Sequence, residues 1–256
     1  MIRTLGTLAA GTFRETVRDR LFYLVGMFGF IMLASTAVLS PLTIGAQSKI
    51  MTDVGLAAMS IFGLLVVVLV GSNMIRKEVD KGTIVTILAK PVGRRQYLVG
   101  KFMGLNLTLA CMLALMGVLF CLVLTVAPGA FSIHYLGAIY MTLLELVIIN
   151  AVVVFFSTCV SAPLAAVATL GVFLMGHLSQ SIRDFGNMQG SPLQQKIFEA
   201  VYYLVPNLEV FNIRGAVVHG DLIPSGQYLL ATVYCLGYAG LLVLLAGAVF
   251  RSKGLR

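Results

Sequence analysis

Long apolar runs separated by short polar stretches occupy this chain from Leu21 to Phe250. A helix of about 20 apolar residues matches the roughly 30 Å hydrocarbon core of a bilayer. It also satisfies its own backbone hydrogen bonds there, which an irregular chain cannot do. Six such runs can be placed, at about 21–40, 55–74, 102–127, 135–160, 163–178 and 227–250. The expected fold is an all-α integral membrane protein of six transmembrane helices in one domain, 1–256. Only 11% of the residues are charged, against about 25% in ordinary soluble domains. The net charge of +8 does not point to nucleic acid, because the basic residues lie beside the spans rather than on a face of their own.

Charge placement sets the orientation. The segment 75–101 lies between the second and third runs and holds Arg76, Lys77, Lys81, Lys90, Arg94, Arg95 and Lys101. Basic loops stay on the cytoplasmic side. With both termini on that side too, 14 of the 18 basic residues face the cytoplasm. The expected location is a bacterial or archaeal inner membrane, crossed several times. Within 75–101, Thr83 can cap a short helix up to Ala89, and Pro91 ends it. Such a helix, held between two spans, is placed to take a push from a cytoplasmic partner; a plain topogenic loop is the simpler reading. Residues 1–20 read as an interfacial helix, with Phe13, Val17 and Leu21 on one face and Arg14, Glu15, Arg18 and Asp19 on the other. The chain lacks the pattern of a signal peptide.

Residues 179–226 form the expected outer segment. Pro192 to Val205 reads as an amphipathic helix with Leu193, Ile197, Val201 and Leu204 on one face. It is either a lid on the membrane surface or a gate over an exit, with Tyr203, Pro206, Asn207 and Phe211 as the gate candidates. The four cysteines sit in or beside apolar runs and read as small apolar residues. His134, His177 and His219 have no metal-ligand spacing, and His177 stands apart at the end of the fifth run. No metal site is expected. Glu145 is the acid inside a run. An ionisable residue at that depth costs about 2.5–3.5 kcal/mol on insertion scales and faces a bundle interior or a wet cavity. Thr142, one turn away, and Asn106, on the third run, are its candidate partners, and without a cation its protonated form is expected. The chain has no nucleotide-binding loop and no hydrolase signature.

Three motifs together resemble the permease subunits of type-2 ABC exporters. The lead Thr12-Phe13-Arg14-Glu15 through Arg18-Asp19-Arg20 is similar to that family's entry into its first span. Glu78, Gly82-Thr83, Leu88, Pro91, Arg94, Tyr97 and Gly100-Lys101 resemble its cytoplasmic segment between spans two and three. Tyr203 to Leu208 followed by Phe211-Asn212 is similar to its pattern before span six. The resemblance covers nearly the whole chain. It implies a non-enzymatic half-transporter, paired with a second copy or a paralogue and driven by two separate ABC ATPase subunits. ATP and Mg would sit in those subunits, and no cofactor would sit in this chain. It implies that Glu78, Gly82, Thr83, Ile87, Leu88, Pro91, Arg94 and Tyr97 form the ATPase-coupling surface. The rival expectation is a membrane subunit that passes ATPase-driven motion to a periplasmic accessory protein without moving a solute. A haem-type redox anchor is disfavoured, because paired histidines on facing helices are missing from the spans.

Overall fold

The computed structural model describes residues 2–16, 22–39, 47–74, 93–126, 134–188, 192–221 and 223–252. All regular structure among them is helical: α1 (Ile2–Thr16), α2 (Phe22–Leu39), α3 (Gln47–Val66), α4 (Arg94–Val126), α5 (His134–Cys159), α6 (Ala162–His177), α7 (Ser179–Met188), α8 (Pro192–Leu204), α9 (Arg214–His219) and α10 (Ser225–Ser252). A π-helical turn, Val67–Gly71, carries α3 on to Met74, and a 3-10 turn, Glu209–Phe211, precedes α9. Among the described residues, four helices are long and apolar enough to cross a membrane, those spanning Lys49–Met74, Arg95–Thr125, His134–Cys159 and Ser225–Ser252. The protein is a multi-pass, all-helical membrane protein. The runs expected at 21–40 and 163–178 are shorter apolar helices.

Helix α5 is the axis of the bundle. It is apolar all round, as a helix enclosed by others must be, and 14 of its residues are buried. It packs on α10, α4, α6, α3 and the π turn. The approach of α3 is close because Gly63 and Gly71 present no side chain: a Cβ at Gly63 would overlap the Leu146 side chain, and one at Gly71 would lie 2.5 Å from Val153 Cγ1. The Gly71 carbonyl, at the end of the π turn, accepts from Ser157 Oγ of α5 at 3.2 Å. On the opposite side, Tyr140 and Thr232 share a 2.8 Å hydrogen bond. Cys235 Sγ donates to the Leu144 carbonyl at 3.4 Å, which ties α10 to α5.

The N-terminal helix, Ile2–Thr16, falls within the expected 1–20. It lies against α4, where Gly104 leaves a notch: a Cβ there would meet Thr12 Cβ at 2.7 Å and the Ala9 carbonyl at 2.8 Å. Val17 and Leu21, expected on its apolar face, lie outside the described residues. Helix α4 starts eight residues before the expected third run. Gly93 is its N-cap, and Gln96 Oε1 accepts from the Gly93 N–H at 3.1 Å, the return half of a capping box.

Helix α6 has 16 residues, about 24 Å at 1.5 Å per residue, short of a full crossing. After it the chain forms α7 and α8, which pack together, with the Arg183 guanidinium 5.0 Å from the centre of the Tyr202 ring. It then enters the bundle again. Leu208, Phe211, Ile213 and Val217 are buried, against α3 and α5. The stretch 206–219 is therefore packed into the helical bundle within the segment 179–226, and is called the inserted segment below for that packing. The cause is packing: Gly176 at the end of α6 has no side chain, so Leu208 closes over it and donates its N–H to the Gly176 carbonyl at 3.1 Å. Gly220, at φ 79°, closes α9, with Asp221 N–H bonding back to the Ala216 carbonyl at 2.8 Å.

Gly63→Leu is expected to force α3 from α5 and lower stability by about 1–3 kcal/mol, the usual cost of overpacking. Gly171→Leu faces open space and is expected to leave stability unchanged. Thermal unfolding of the two purified variants in one detergent measures the difference.

Candidate functional site

The polar residues of the bundle interior gather at Glu145. Its Oε1 lies 3.0 Å from His177 Nε2, and its Oε2 accepts from Ser60 Oγ at 3.3 Å. The other ring nitrogen, His177 Nδ1, lies 3.6 Å from Glu209 Oε2. Glu209 Oε1 accepts from Asn212 Nδ2 at 3.1 Å, and the Glu209 N–H bonds to Asn207 Oδ1 at 3.1 Å. Phe173, one turn before His177, stands edge-on to the imidazole at 4.7 Å between centroids. The histidine thus links two carboxylates contributed by different parts of the chain. Exposure rises along the line, from 3% for the Glu145 side chain to 23% for His177 and 39% for Glu209, so the triad opens at its Glu209 end.

Each member is placed by simple geometry. Helices α5 and α6 join through Val160 and Ser161 and run antiparallel. Pro163, in the first turn of α6, stands where no intrahelical N–H is needed. Glu145 is 15 residues before Val160 and His177 is 16 after Ser161, which brings them to one level. The third member arrives with the inserted segment. That segment is anchored to α10 by Asn207 N–H bonding to Tyr234 Oη at 2.9 Å and by Tyr238 Oη donating to the Leu204 carbonyl at 3.0 Å.

The expected partners of Glu145 go elsewhere. Thr142 donates its hydroxyl to the Ala138 carbonyl at 3.0 Å, the back-bond common to threonine within helices. Asn106 pairs with Asn150: Asn150 Nδ2 donates to Asn106 Oδ1 at 2.8 Å and to the Phe102 carbonyl at 3.2 Å. Glu145 and Asn150 are five residues apart, about 140° around a helix, so they reach different neighbours. His177 does not stand alone, and Glu145 does have a potential cation beside it. The hairpin count from the tight turn was the signal available for this pairing. The contribution of Glu209 had no local signal, because it depends on how deeply 206–219 inserts.

The gate candidates separate. Tyr203 is exposed on α8, Pro206 and Phe211 are buried, and Asn207 is half-buried. Of the coupling residues, Glu78, Gly82, Thr83, Ile87, Leu88 and Pro91 lie outside the described residues, and Arg94 opens α4. Tyr97 is buried rather than presented to a partner. Its ring stacks on Phe250 of α10, 6.3 Å between centroids and 21° between planes, and Lys101 Nζ lies 5.9 Å from its centre. No group of three His, Cys, Asp or Glu among the described residues is arranged to hold a metal ion.

The triad supports hydrogen bonding and proton storage in an apolar bundle. Glu145→Gln keeps a group able to bond both Ser60 and His177. Glu145→Leu leaves both without that partner, an expected cost of about 1–3 kcal/mol. Thermal stability in the order wild type, near-equal Gln variant, weaker Leu variant is expected. In a double-mutant cycle with His177→Leu, the Leu pair should show a coupling energy of about 0.5–3 kcal/mol.

Residues 7–252 match the family model described as ABC-2 family transporter protein. No curated protein matches the chain.

Proposed function

Because the chain belongs to the ABC-2 transporter family, as a membrane permease of an ABC transporter, we propose that it is the membrane half of an exporter. It works as a dimer, with an identical copy or a paralogue, on two separately encoded ATPases. Both termini and the segment 75–101 face the cytoplasm of a bacterial or archaeal cell. ATP and Mg are bound by the ATPases, and this chain supplies the path and the coupling surface.

The observation that supports this reading most is the way α4 begins. Its N-cap at Gly93 lies within the basic segment 75–101, and one turn later Tyr97 is buried against Phe250 of α10. A force on 75–92 therefore acts on a helix whose first turn is already packed into the bundle, and not on a loose tether. Helix α4 in turn packs on α5 and α1. The residues offered to the ATPase are those of the expected short helix, Thr83 to Leu88, with Gly82 before it. Tyr97 serves the coupling from inside, by fixing α4 to α10.

A second reading has an observation of its own. Tyr203 and Leu204, at the end of α8, expose 70% and 78% of their surface and are joined to the inserted segment through Val205. A docked outer protein could take up motion there without any solute crossing. Cargo movement in vesicles holding only the permease and its ATPase would favour the exporter; ATPase stimulation that requires an added outer protein would favour the second reading.

For the coupling surface, Leu88→Asp and Gly82→Pro are expected to leave membrane insertion intact. They should reduce permease-dependent stimulation of ATP hydrolysis about tenfold, within the usual range of coupling free energies. Unchanged stimulation in both reconstituted variants would remove Thr83–Leu88 from the coupling role.

A further inference from the structure

We propose that Glu145, His177 and Glu209 form a proton-binding site that latches the inserted segment 206–219 to α5 and α6 while the proton is bound and releases it when the proton leaves. This goes beyond the transport reading and rests on the local geometry alone. Both ring nitrogens face carboxylate oxygens, Nε2 to Glu145 at 3.0 Å and Nδ1 to Glu209 at 3.6 Å. A neutral imidazole carries one N–H and has a lone pair on its other nitrogen. With two ionised carboxylates it can donate to one and must oppose its lone pair to the other. Both contacts become attractive only with one proton more: either as imidazolium between two carboxylates, or as neutral imidazole with one carboxyl protonated and donating to the bare nitrogen. The two forms hold the same number of protons. They interconvert when an N–H bond breaks and an O–H bond forms along the line.

The charged groups acting on the ring are Glu145 from α5 and Glu209 from the 3-10 turn. From the other packed elements come the hydroxyl of Ser60 on α3, which bonds to Glu145, and the Phe173 edge on α6. Among the described residues, no Lys or Arg forms a salt bridge with either carboxylate, so the extra proton is what balances them.

The route and the consequence follow from exposure. Glu209 is the open end of the triad, so Nδ1–H passes its proton to Glu209 Oε2 and from there to water. The state left behind has a lone pair facing a carboxylate at the longer, wetter contact. Glu209 belongs to the inserted segment, and Glu145 is held by Ser60 and by burial, so the repulsion acts on the segment. The sign is therefore fixed: the latch holds at lower pH, where the bridging proton is present, and loosens as pH rises and that proton leaves.

The test uses the dimeric permease with its ATPase in lipid nanodiscs, where both faces are accessible. The four native cysteines are replaced by serine or alanine. One cysteine is then placed at Val217, which is buried in the inserted segment, or at Gly215, which is exposed on α9. Labelling by a polar maleimide is followed from about pH 6 to about pH 9, across the ordinary histidine range. Dividing the Val217→Cys rate by the Gly215→Cys rate removes the intrinsic rise of thiol reactivity. The ratio is expected to increase several-fold with pH. In Glu209→Gln, the amide donates to a bare Nδ1 or accepts from Nδ1–H, so the segment should stay docked and the ratio should stay flat. Should Val217→Cys not assemble, Ile213→Cys, equally buried, takes its place. A flat ratio in the otherwise native protein, or a pH rise that survives Glu209→Gln, would overturn the proposal.

Discussion

An ionisable side chain inside an apolar helix has to be satisfied by groups from other helices, and in this protein that requirement falls on Glu145. Water is the usual partner of a carboxyl group, and replacing it costs several kcal/mol unless hydrogen bonds are supplied. Three separate stretches meet the demand, with Ser60 from α3, His177 from α6 and, through the imidazole, Glu209 from the inserted segment. None of these is near Glu145 in sequence. The polar node therefore specifies an arrangement that apolar packing leaves open, since one Leu or Val contact resembles another. The small residues around it have the same effect by a different means. Gly63 and Gly71 allow α3 to approach α5 closely enough for Ser60 to reach the carboxyl group, and Gly176 lets Leu208 close over the end of α6.

The insertion of 206–219 is subject to a second constraint, the supply of backbone hydrogen bonds. Irregular chain packed into a helical bundle needs partners for its backbone groups. Here Leu208 N–H is taken by the Gly176 carbonyl, Asn207 N–H by Tyr234, Glu209 N–H by the Asn207 side chain, and the free Leu204 carbonyl by Tyr238. The tyrosines on α10 thus do work that composition alone would assign to headgroup anchoring. Their hydroxyls make the non-helical stretch between α8 and α9 possible. That stretch in turn positions Glu209.

The all-helical class could be read from the sequence because each run of apolar residues acts locally, and among the described residues four of the six expected runs are helices long and apolar enough to cross a membrane. The central acid was legible for the same reason, as a single charge in an apolar run is costly wherever the helix goes. Its partners were less so. Thr142 and Asn106 were reasonable on grounds of proximity, but a threonine hydroxyl has a competing acceptor in its own helix, and Asn106 faces Asn150 on another side of α5. His177 was accessible by counting residues from the tight turn at Val160–Ser161. Glu209 was not, since hydrophobic periodicity describes the face of a helix and cannot say whether a short irregular stretch lies on a surface or goes into it. Tyr97 shows the converse. A motif placed it in the coupling segment, and its burial against Phe250 shows that membership of a segment does not decide which way a side chain points.

Along α5 the polar side chains that contact other elements include Tyr140, Glu145, Asn150 and Ser157. Glu145 holds α6, Ser60 of α3 and the inserted segment, Asn150 holds α4, and Ser157 holds the π turn that ends α3. Apolar contacts slide at little cost, whereas a buried hydrogen bond is either made or broken. A helix held in this way moves with its neighbours as a unit or breaks a bond at one of these levels. The contact at Asn150 has two hydrogen bonds from one amide and joins two long helices. The contact at Glu209 is longer, more exposed and borne by a short segment. If the bundle shifts, the outer end of the triad is where the separation costs least. That difference in geometry along one helix arises from where polar side chains fall in an otherwise apolar run.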